Sequence, residues 1–348
     1  MKSKFLIIAI FFLLISCKRE QKNADSDWQI LSERTKFKQD SKGLHLKTGK
    51  FEYNFSEEEL PFKKIIVLNA SMIGYISELE SESQIAGVSS PEYIFSEKMQ
   101  ELIKSGKIQN VGNDQKYDVE KILSLKPDAI FTNYIPNFEN TYELLKGNGI
   151  KVIFLDEYLE QKPLEKTSYL KVFGKLLGKN ELAERKFKEI EINYNRYKMM
   201  AAEDPSKPNV LANEMYGNIW YMPGGQTSVA HFISDAGANY IMNGNKEDKA
   251  VTMSFEEVYS KSAQIKFWVN AGNHLTKKEM LQINPLYSKL DVFRNGRIYA
   301  YSEKQTATAN DFFESGIVHC DVVLKDYIKI FHPHLFPDYR LTYFKELH

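Results

Sequence analysis

Residues 180–202 read NELAERKFKEIEINYNRYKMMAA, a segment without Gly or Pro that predicts one long helix. Asn180 stands at its start and is a favourable N-cap residue. At 1.5 Å per residue, such a helix spans roughly 33 Å, about the diameter of a small domain. Apolar and β-rich patterns lie on both sides of it. The sequence therefore predicts two units joined by a stiff helical strut.

Before this helix, short β-rich runs alternate with helical ones. The predicted strands cover residues 65–68, 85–88, 128–131 and 151–155, and the predicted helices include residues 119–125 and 142–146. Ser71, just after the first run, is a favourable helix cap. Alternation of this kind is typical of βαβ units and a parallel sheet. We expect one α/β lobe over residues 60–158.

A second series of the same kind follows the helix. Linking helices open at Pro163, pause near Gly174 and Gly178, and fill residues 159–204 together with the long helix. The predicted strands that follow cover residues 210–212, 220–222, 265–269 and 298–301, with helices at 228–236 and 316–330. We therefore expect residues 205–348 to form a second α/β lobe and a tail. The predicted fold class is α/β, with two lobes that have mostly parallel central sheets and are joined by one long backbone helix.

The region ahead of the first lobe has its own pattern. The segment from Phe37 to Phe55 alternates like a strand and is broken by Gly43 and Gly49, which favours a small antiparallel β addition. Residues 18–27 are polar and charged, as is typical of a flexible tether. We expect residues 17–59 to comprise this tether and the β addition. No role for the addition follows from its sequence.

The first residues indicate export. Lys2 and Lys4 precede an apolar run over residues 5–15, and Ser16 and Cys17 follow it, as in a signal peptide with a small-residue processing site. The run is shorter than the roughly 20 apolar residues that span a bilayer. The end of the run resembles the bacterial lipobox, which implies that residues 1–16 are removed and that Cys17 is lipidated, anchoring the protein extracytoplasmically. An ordinary secretory signal with an incidental Cys is the alternative.

Composition restricts the class of protein. Lys plus Arg and Asp plus Glu number 46 each, and loss of Lys2 and Lys4 with the signal leaves a net charge of −2. No polybasic surface for nucleic acid follows from that balance. Cys320 is the one thiol besides Cys17, so an intramolecular disulfide framework is excluded. The mature length favours two domains over one core, and we expect a monomer.

Six short motifs appear in a characteristic order. They are GVSS at residues 87–90, VG at 111–112, DVEKILSLKPD at 118–128, PGGQTS at 223–228, DAGA at 235–238 and SFEEV at 254–258. In this order they resemble the substrate-binding proteins of ABC importers for siderophores, haem or cobalamin, over roughly residues 60–334. The resemblance implies a protein that is not an enzyme, captures a metal chelate between two lobes, and delivers it to a permease dimer with its ATPase.

The resemblance also implies two docking residues. Glu120 and Glu256 match the glutamates that stand on top of each lobe and pair with Arg residues of the two permease subunits. A charge-assisted contact between a carboxylate and a guanidinium has a defined geometry, which suits specific docking. The alternative is that each is an ordinary solvated helix Glu.

Ligands of open α/β sheets bind beyond the carboxyl ends of the strands. That rule selects residues from both lobes, of which the predicted ligand-binding set is Tyr93, Asn133, Tyr134, Trp220, Tyr221, Tyr301 and Asp311. Ser71, Met72 and Asn270 also follow strands. Aromatic rings suit this task because they give a flat chelate a large contact area at low entropic cost.

The rings divide by their surroundings in the sequence. Tyr93, Tyr134 and Trp220 lie beside turn residues, so we assign them to the cleft, whereas we assign Phe312, Phe313 and Trp268 to the core. Asp311 resembles the position that contacts ligand in cobalamin-binding members. Some of those members carry a stacking Trp six residues before the docking glutamate of the second lobe. This chain has Ala250 there, which weakens transfer of the cobalamin pose.

Several kinds of site are missing from the sequence. It contains no HExxH, CxxC or GxSxG, and His319, His332 and His334 are not spaced as metal ligands. We expect no cofactor and no metal site of the protein's own. The chain has seven Arg residues, none in the cleft segments, and anionic ferric catecholates and citrates are usually held by such planar bidentate cations. A neutral or weakly charged ferric siderophore or cobalamin-type ligand is therefore favoured, although Lys249 or Lys304 could line the opening. A lipid-anchored enzyme and a surface interaction lipoprotein are the alternatives.

Overall fold

The computed structural model describes residues 28–348. The predicted signal peptide, the lipid anchor at Cys17 and the tether lie outside the described residues. Within the described part, no helix is both long and apolar enough to cross a membrane. Cys320 is a buried free thiol.

A four-stranded antiparallel sheet precedes the first lobe, as the alternation from Phe37 to Phe55 predicts. Its strands are paired in chain order, and they are β1 (Gln29–Ile30), β2 (Thr35–Asp40), β3 (Gly43–Thr48) and β4 (Phe51–Phe55). The side chains of Phe37 and Leu46 are buried on one face, as expected for period-two alternation. Phe55 packs edge-on against Phe62 at 5.5 Å between ring centroids, which fixes the sheet to the first lobe.

The first lobe contains a parallel five-stranded sheet covered by helices. Its elements are β5 (Ile65–Val67), α1 (Ser71–Glu78), β6 (Ile85–Val88), α2 (Glu97–Lys104), β7 (Gln109–Asn110), α3 (Val119–Leu125), β8 (Ala129–Thr132), α4 (Glu139–Gly147) and β9 (Lys151–Phe154). The strand order is β7-β6-β5-β8-β9. Strands β5, β6 and β8 are buried throughout, as continuous apolar runs between two layers of helices should be.

Three helices link the lobes, namely α5 (Pro163–Thr167), α6 (Tyr169–Leu177) and α7 (Asn180–Glu203). The long helix α7 confirms the predicted strut, and its buried residues form one stripe. The predicted N-cap at Asn180 is wrong, because Lys179 occupies that position without a side-chain hydrogen bond. Gly178, with φ of 72°, ends α6, and its tight turn leaves a single residue before α7 begins.

The second lobe has a central sheet and a smaller antiparallel one. Its elements are β10 (Asn209–Ala212), β11 (Met215–Tyr216), β12 (Ile219–Pro223), α8 (Ser228–Asp235), β13 (Asn239–Tyr240), β14 (Ala250–Met253), α9 (Phe255–Lys261), β15 (Ile265–Val269), α10 (Lys277–Ile283), α11 (Asp291–Asn295), β16 (Arg297–Ala300), α12 (Ser315–Val318), α13 (Cys320–Phe331) and β17 (Lys345–Glu346). The central order is β13-β10-β15-β16-β17, in which only β17 is antiparallel among the described strands. Strands β11, β12 and β14 form the antiparallel sheet. The predicted final helix is interrupted at His319, between α12 and α13.

Candidate functional site

A cleft of about 770 Å³ lies between the two lobes. Its lining residues follow the carboxyl ends of β5, β8 and β9 in the first lobe and of β10, β15 and β16 in the second. In the first lobe, the strands after β5 are added on one side of it up to β7 and on its other side from β8 onward. The second lobe switches sides in the same way between β10 and β15. Each lobe therefore presents its topological switch point to the cleft. Switch points are where open α/β sheets bind ligands.

The first lobe provides a polar floor, defined here as Asn69, Ser71, Asn133 and Glu157. The Oγ of Ser71 lies 2.8 Å from Oδ1 of Asn69 and 2.6 Å from Oε1 of Glu157. The Nδ2 of Asn133 donates to Oε2 of Glu157 at 3.0 Å. Ser71 is the first residue of α1 and not its cap, because Ala70 occupies the N-cap position. The Oδ1 of Asn69 accepts the Ser71 N–H at 2.9 Å.

The polar floor contains one ionisable group, the carboxyl of Glu157. A hydroxyl carries one hydrogen, so Ser71 can donate to only one of its two oxygen neighbours, Asn69 or Glu157, at a time. Burial raises the pKa of Glu157, while its hydrogen bonds with Ser71 and Asn133 act against that rise. The floor is thus a hydrogen-bonded polar surface built around a buried carboxyl group.

The second lobe provides an aromatic wall, defined here as Tyr301, Phe312 and Phe313. The ring of Tyr301 stacks on Phe312 at 5.1 Å and meets Phe313 edge-on at 5.1 Å. Tyr301 and Phe313 line the cleft, and Phe313 is 50% exposed. Burial raises the pKa of Tyr301 to about 12, so its hydroxyl is neutral and able to donate. Tyr93 reaches the same cleft from the first lobe.

Glu314 connects the lobes at the edge of the cleft. Its carboxylate belongs to the second lobe and accepts hydrogen bonds from the backbone N–H groups of Phe95 at 2.6 Å and Ser96 at 3.1 Å in the first. Ser96 is the N-cap of α2, where a carboxylate is favoured by the unpaired N–H groups and the helix dipole. Burial raises the pKa of Glu314 to about 7.

The charged groups of the cleft are mostly acidic. Glu157, Glu214 and Glu314 line it, together with Lys166, whose pKa burial lowers. Glu214 bonds His274 at 2.7 Å, and this hydrogen bond raises the pKa of His274. Among the described lining residues there is no Arg. Lys249 and Lys304 do not line the cleft either.

Three of the seven predicted ligand residues, Tyr93, Asn133 and Tyr301, line this cleft. The prediction for Trp220 is wrong, because its ring is fully buried, packs on Trp268 at 5.3 Å, and donates its N–H to the Ala212 carbonyl. Tyr221 points to the other face of β12 and is exposed away from the cleft. Both miss the cleft because β12 belongs to the separate antiparallel sheet, not to the central one.

Two other predicted residues lie next to the cleft without lining it. Tyr134 packs against Phe51 at 5.2 Å, so its ring turns toward the N-terminal sheet. Asp311 is buried and forms an ion pair with Lys304 at 3.4 Å. Three additional residues were selected by strand position. Of these, Ser71 lines the cleft, whereas Met72 and Asn270 are buried.

The core assignments are partly confirmed. Trp268 is fully buried, and Phe312 packs against the core as predicted. Phe313 was assigned to the core wrongly, since the short turn before α12 turns its ring outward. Asn69 and Glu157, which the sequence reasoning missed, follow strands just as the chosen residues do. Glu314 carries no sequence signal, because its partners are distant in the chain.

The two glutamates expected to dock occupy equivalent positions. Glu120 and Glu256 are each the second residue of a short helix, α3 and α9, and both are exposed. Each helix is capped by the side chain two residues earlier, Asp118 or Ser254. The described residues contain no group of three or more His, Cys, Asp or Glu arranged to hold a metal ion.

Comparison with known proteins agrees with this architecture. The periplasmic binding protein family model matches residues 65–304. An uncharacterized lipoprotein of Methanocaldococcus jannaschii is 22% identical over 303 residues, covering 84% of this chain and 70% of its own. An ABC transporter substrate-binding protein from Listeria monocytogenes EGD-e has a TM-score of 0.57 at 16% identity, covering 78% of this chain and 99% of its own.

A periplasmic haem-binding protein from Pseudomonas aeruginosa has a TM-score of 0.58 at 16% identity, covering 82% of this chain and 98% of its own. The TM-scores show that these solved structures share the fold, and at identities this low the likeness is one of fold alone. The family match extends over more than half of the sequence. The chain therefore belongs to the periplasmic binding protein family.

Proposed function

We propose that this protein is the substrate-binding component of an ABC importer and captures a metal chelate in the cleft between its lobes. The observation that carries the proposal is that both sheets direct their switch points into one cleft. A volume of about 770 Å³ lies within the range of small-molecule sites, roughly 300–1,000 Å³. Family membership favours capture of a solute over catalysis or a purely adhesive role.

The charge of the cleft favours a neutral or weakly charged chelate, such as a ferric hydroxamate or a cobalamin-type compound. Three carboxyl groups line the cleft against one ammonium group, that of Lys166. An anionic chelate would have to enter without the planar bidentate cations that usually hold such ligands. Haem, which the solved Pseudomonas aeruginosa protein is named for, carries two propionates and fits this cleft less well for the same reason.

Titration of the purified mature protein tests the ligand class. We expect cyanocobalamin or N-acetylated ferrioxamine B, both neutral, to bind more tightly than haemin or ferric citrate in calorimetry. Tyr93→Ala should weaken binding, because this ring lines the cleft at 50% exposure. The matched control is Tyr216→Ala, which removes an 83% exposed ring outside the cleft. Tight binding of only the anionic compounds would contradict the proposal.

Two further features would serve delivery of the ligand to the permease. We assign Glu120 and Glu256 to contacts with the two permease subunits and Cys17 to a lipid anchor on the extracytoplasmic side of the membrane. A Cys17→Ser variant should be exported but partition into the aqueous phase in detergent extraction. Partition of that variant into the detergent phase, as for the unaltered protein, would argue against lipidation at this position.

A further inference from the structure

A second cavity, of about 530 Å³, adjoins the cleft. We name it the accessory cavity, and its lining residues are Glu33, Arg34, Gly49, Lys50, Phe51, Tyr134, Asp156, Tyr158 and Leu159. Tyr158 lines both the accessory cavity and the cleft, and Glu157 of the polar floor is its neighbour in the chain. A ligand in the cleft could therefore extend a substituent past Tyr158.

One wall of this cavity comes from the N-terminal sheet. The turns between β1 and β2 and between β3 and β4 supply Arg34 and Gly49, and the Gly49 N–H donates to the Arg34 carbonyl at 2.8 Å. Gly49 has φ of 54°, a backbone conformation that favours glycine, and this conformation allows the tight turn. The wall lies outside residues 65–304, so it is an addition to the part of the chain that the family model matches.

The opposite wall belongs to the first lobe and carries the ring of Tyr134. The Lys50 Nζ lies 4.0 Å from the centroid of that ring, which holds the ammonium group at the cavity. No carboxylate of residues 28–348 is close enough to Arg34 or Lys50 to form an ion pair. Both cations therefore have donors available for a ligand.

The carboxyl groups of Asp156 and Glu33 also face the cavity, so its lining carries two acidic and two basic side chains. Asp156 is buried, and its Oδ1 accepts the Tyr134 N–H at 2.9 Å, so its charge is partly satisfied within the protein. Glu33 is exposed to solvent, as Arg34 and Lys50 are. Arg34 and Lys50 also attract Asp156 electrostatically, since both act to lower its pKa against the effect of burial. Neither cation forms an ion pair with a described carboxylate, so their N–H groups can bind a ligand, and a carboxylate is their natural partner.

We propose that the accessory cavity binds an anionic substituent, such as a carboxylate, of the same chelate whose metal-bearing body occupies the cleft. This inference rests on the proposed function. It gives the N-terminal sheet a role in ligand selection. It also reconciles the two charge patterns, because the body of the chelate would meet the acidic cleft while its appendage meets Arg34 and Lys50.

A set of chelates that differ only in the appendage tests the proposal. Ferrioxamine B has a cationic amine, its N-acetylated derivative is neutral, and its N-succinylated derivative is anionic. A parallel pair is cyanocobalamin and a monocarboxylic acid made from it by hydrolysis of one side-chain amide. Calorimetry with the wild type should show the anionic member of a pair binding about tenfold more tightly than the neutral one.

The variant Arg34→Gln with Lys50→Gln should reduce that preference to about one, whereas Lys42→Gln, an exposed control on the same sheet that lines neither cavity, should keep it. Equal affinities in the wild type, or tighter binding of the cationic member, would overturn the accessory site while leaving the cleft proposal intact. Failure of every neutral chelate to bind would overturn the proposed ligand class, and the accessory site with it.

Discussion

The two lobes have the same plan but line the cleft in different ways. Each has a sheet with a switch point at the cleft and a short capped helix with an exposed glutamate at its second position. The first lobe contributes the polar floor, whose groups are already hydrogen-bonded to one another. The second contributes the aromatic wall, where a half-exposed ring has no such partner.

We expect the first lobe to orient the ligand and the second lobe to supply most of the apolar contact area. A hydrogen-bonded floor fixes where polar atoms of a ligand can lie, while exposed rings supply the apolar area that binding requires. Under the proposed function, we expect the shared plan of the lobes to serve docking, since a permease dimer would present two equivalent sites. The lobes should therefore be interchangeable in docking and unequal in ligand binding.

The largest effect is expected inside the second lobe, where buried and cleft rings can be compared. Trp220→Ala should lower the free energy of unfolding by about 3–5 kcal/mol, because it opens a cavity beside Trp268 and Tyr287. Phe313→Ala should change stability by less than about 1 kcal/mol, since its ring is 50% exposed, but should weaken ligand binding. Urea unfolding and calorimetry measure the two quantities. The reverse outcome would show that the two rings had been assigned to the wrong regions.

The contact of Glu314 with the first lobe should make the free energy of unfolding depend on pH, by on the order of 3 kcal/mol. The pKa of Glu314 is raised from 4.5 to about 7, so the folded protein keeps a proton that the unfolded chain releases in this range. Its contribution to stability is therefore full below about pH 4.5, falls as the pH rises toward about 7, and is constant above that.

A Glu314→Gln variant does not titrate at this position and should lack this slope. Urea unfolding of wild type and variant at about pH 5 and about pH 8 gives the difference, from which the contribution of Asp326, raised to about 6 and present in both proteins, cancels. Asp311 is the other carboxylate acting on Glu314. Parallel pH profiles of the two proteins would disprove the assignment.

A smaller effect should test the equivalence of the lobes in docking. Glu120→Ala and Glu256→Ala should each lower apparent affinity for the permease about tenfold, through loss of one charge-assisted contact, without altering ligand affinity. The control is the exposed pair Glu101→Ala with Glu181→Ala. Uptake assays at limiting binding protein provide the measurement. If one glutamate carried the whole effect, the two lobes would not dock equivalently.

Much of the fold was accessible from the sequence because it depends on local patterns. The period of apolar residues and the turn residues between them predicted both lobes, the N-terminal sheet and the long helix. The lobe boundaries at residues 158–159 and 204–205 stay predictions. The strand at residues 220–222 was predicted, but its membership of the separate antiparallel sheet was not, because pairing partners are chosen by tertiary packing and β-rich runs of either kind look alike.

The candidate site was less predictable, since strand ends indicate a region but not the direction of a side chain. Asn133 and Tyr301 follow parallel strands of the central sheets and reach the cleft, whereas Trp220 lies within an antiparallel strand and is buried. Phe312 and Phe313 are neighbours of the same type, yet the turn that holds them buries one and exposes much of the other.

The sequence by itself determined the α/β class, the two-lobed plan, the helical strut and the family to which the chain belongs, because these depend on periodicity, length and local motifs. Tertiary structure alone decided which rings line the cleft, the contact of Glu314 with the first lobe, and the accessory cavity beneath the N-terminal sheet. Each of these joins residues far apart in the chain, as Glu314 and Phe95 are. Such contacts follow from how whole layers pack, which no local pattern specifies.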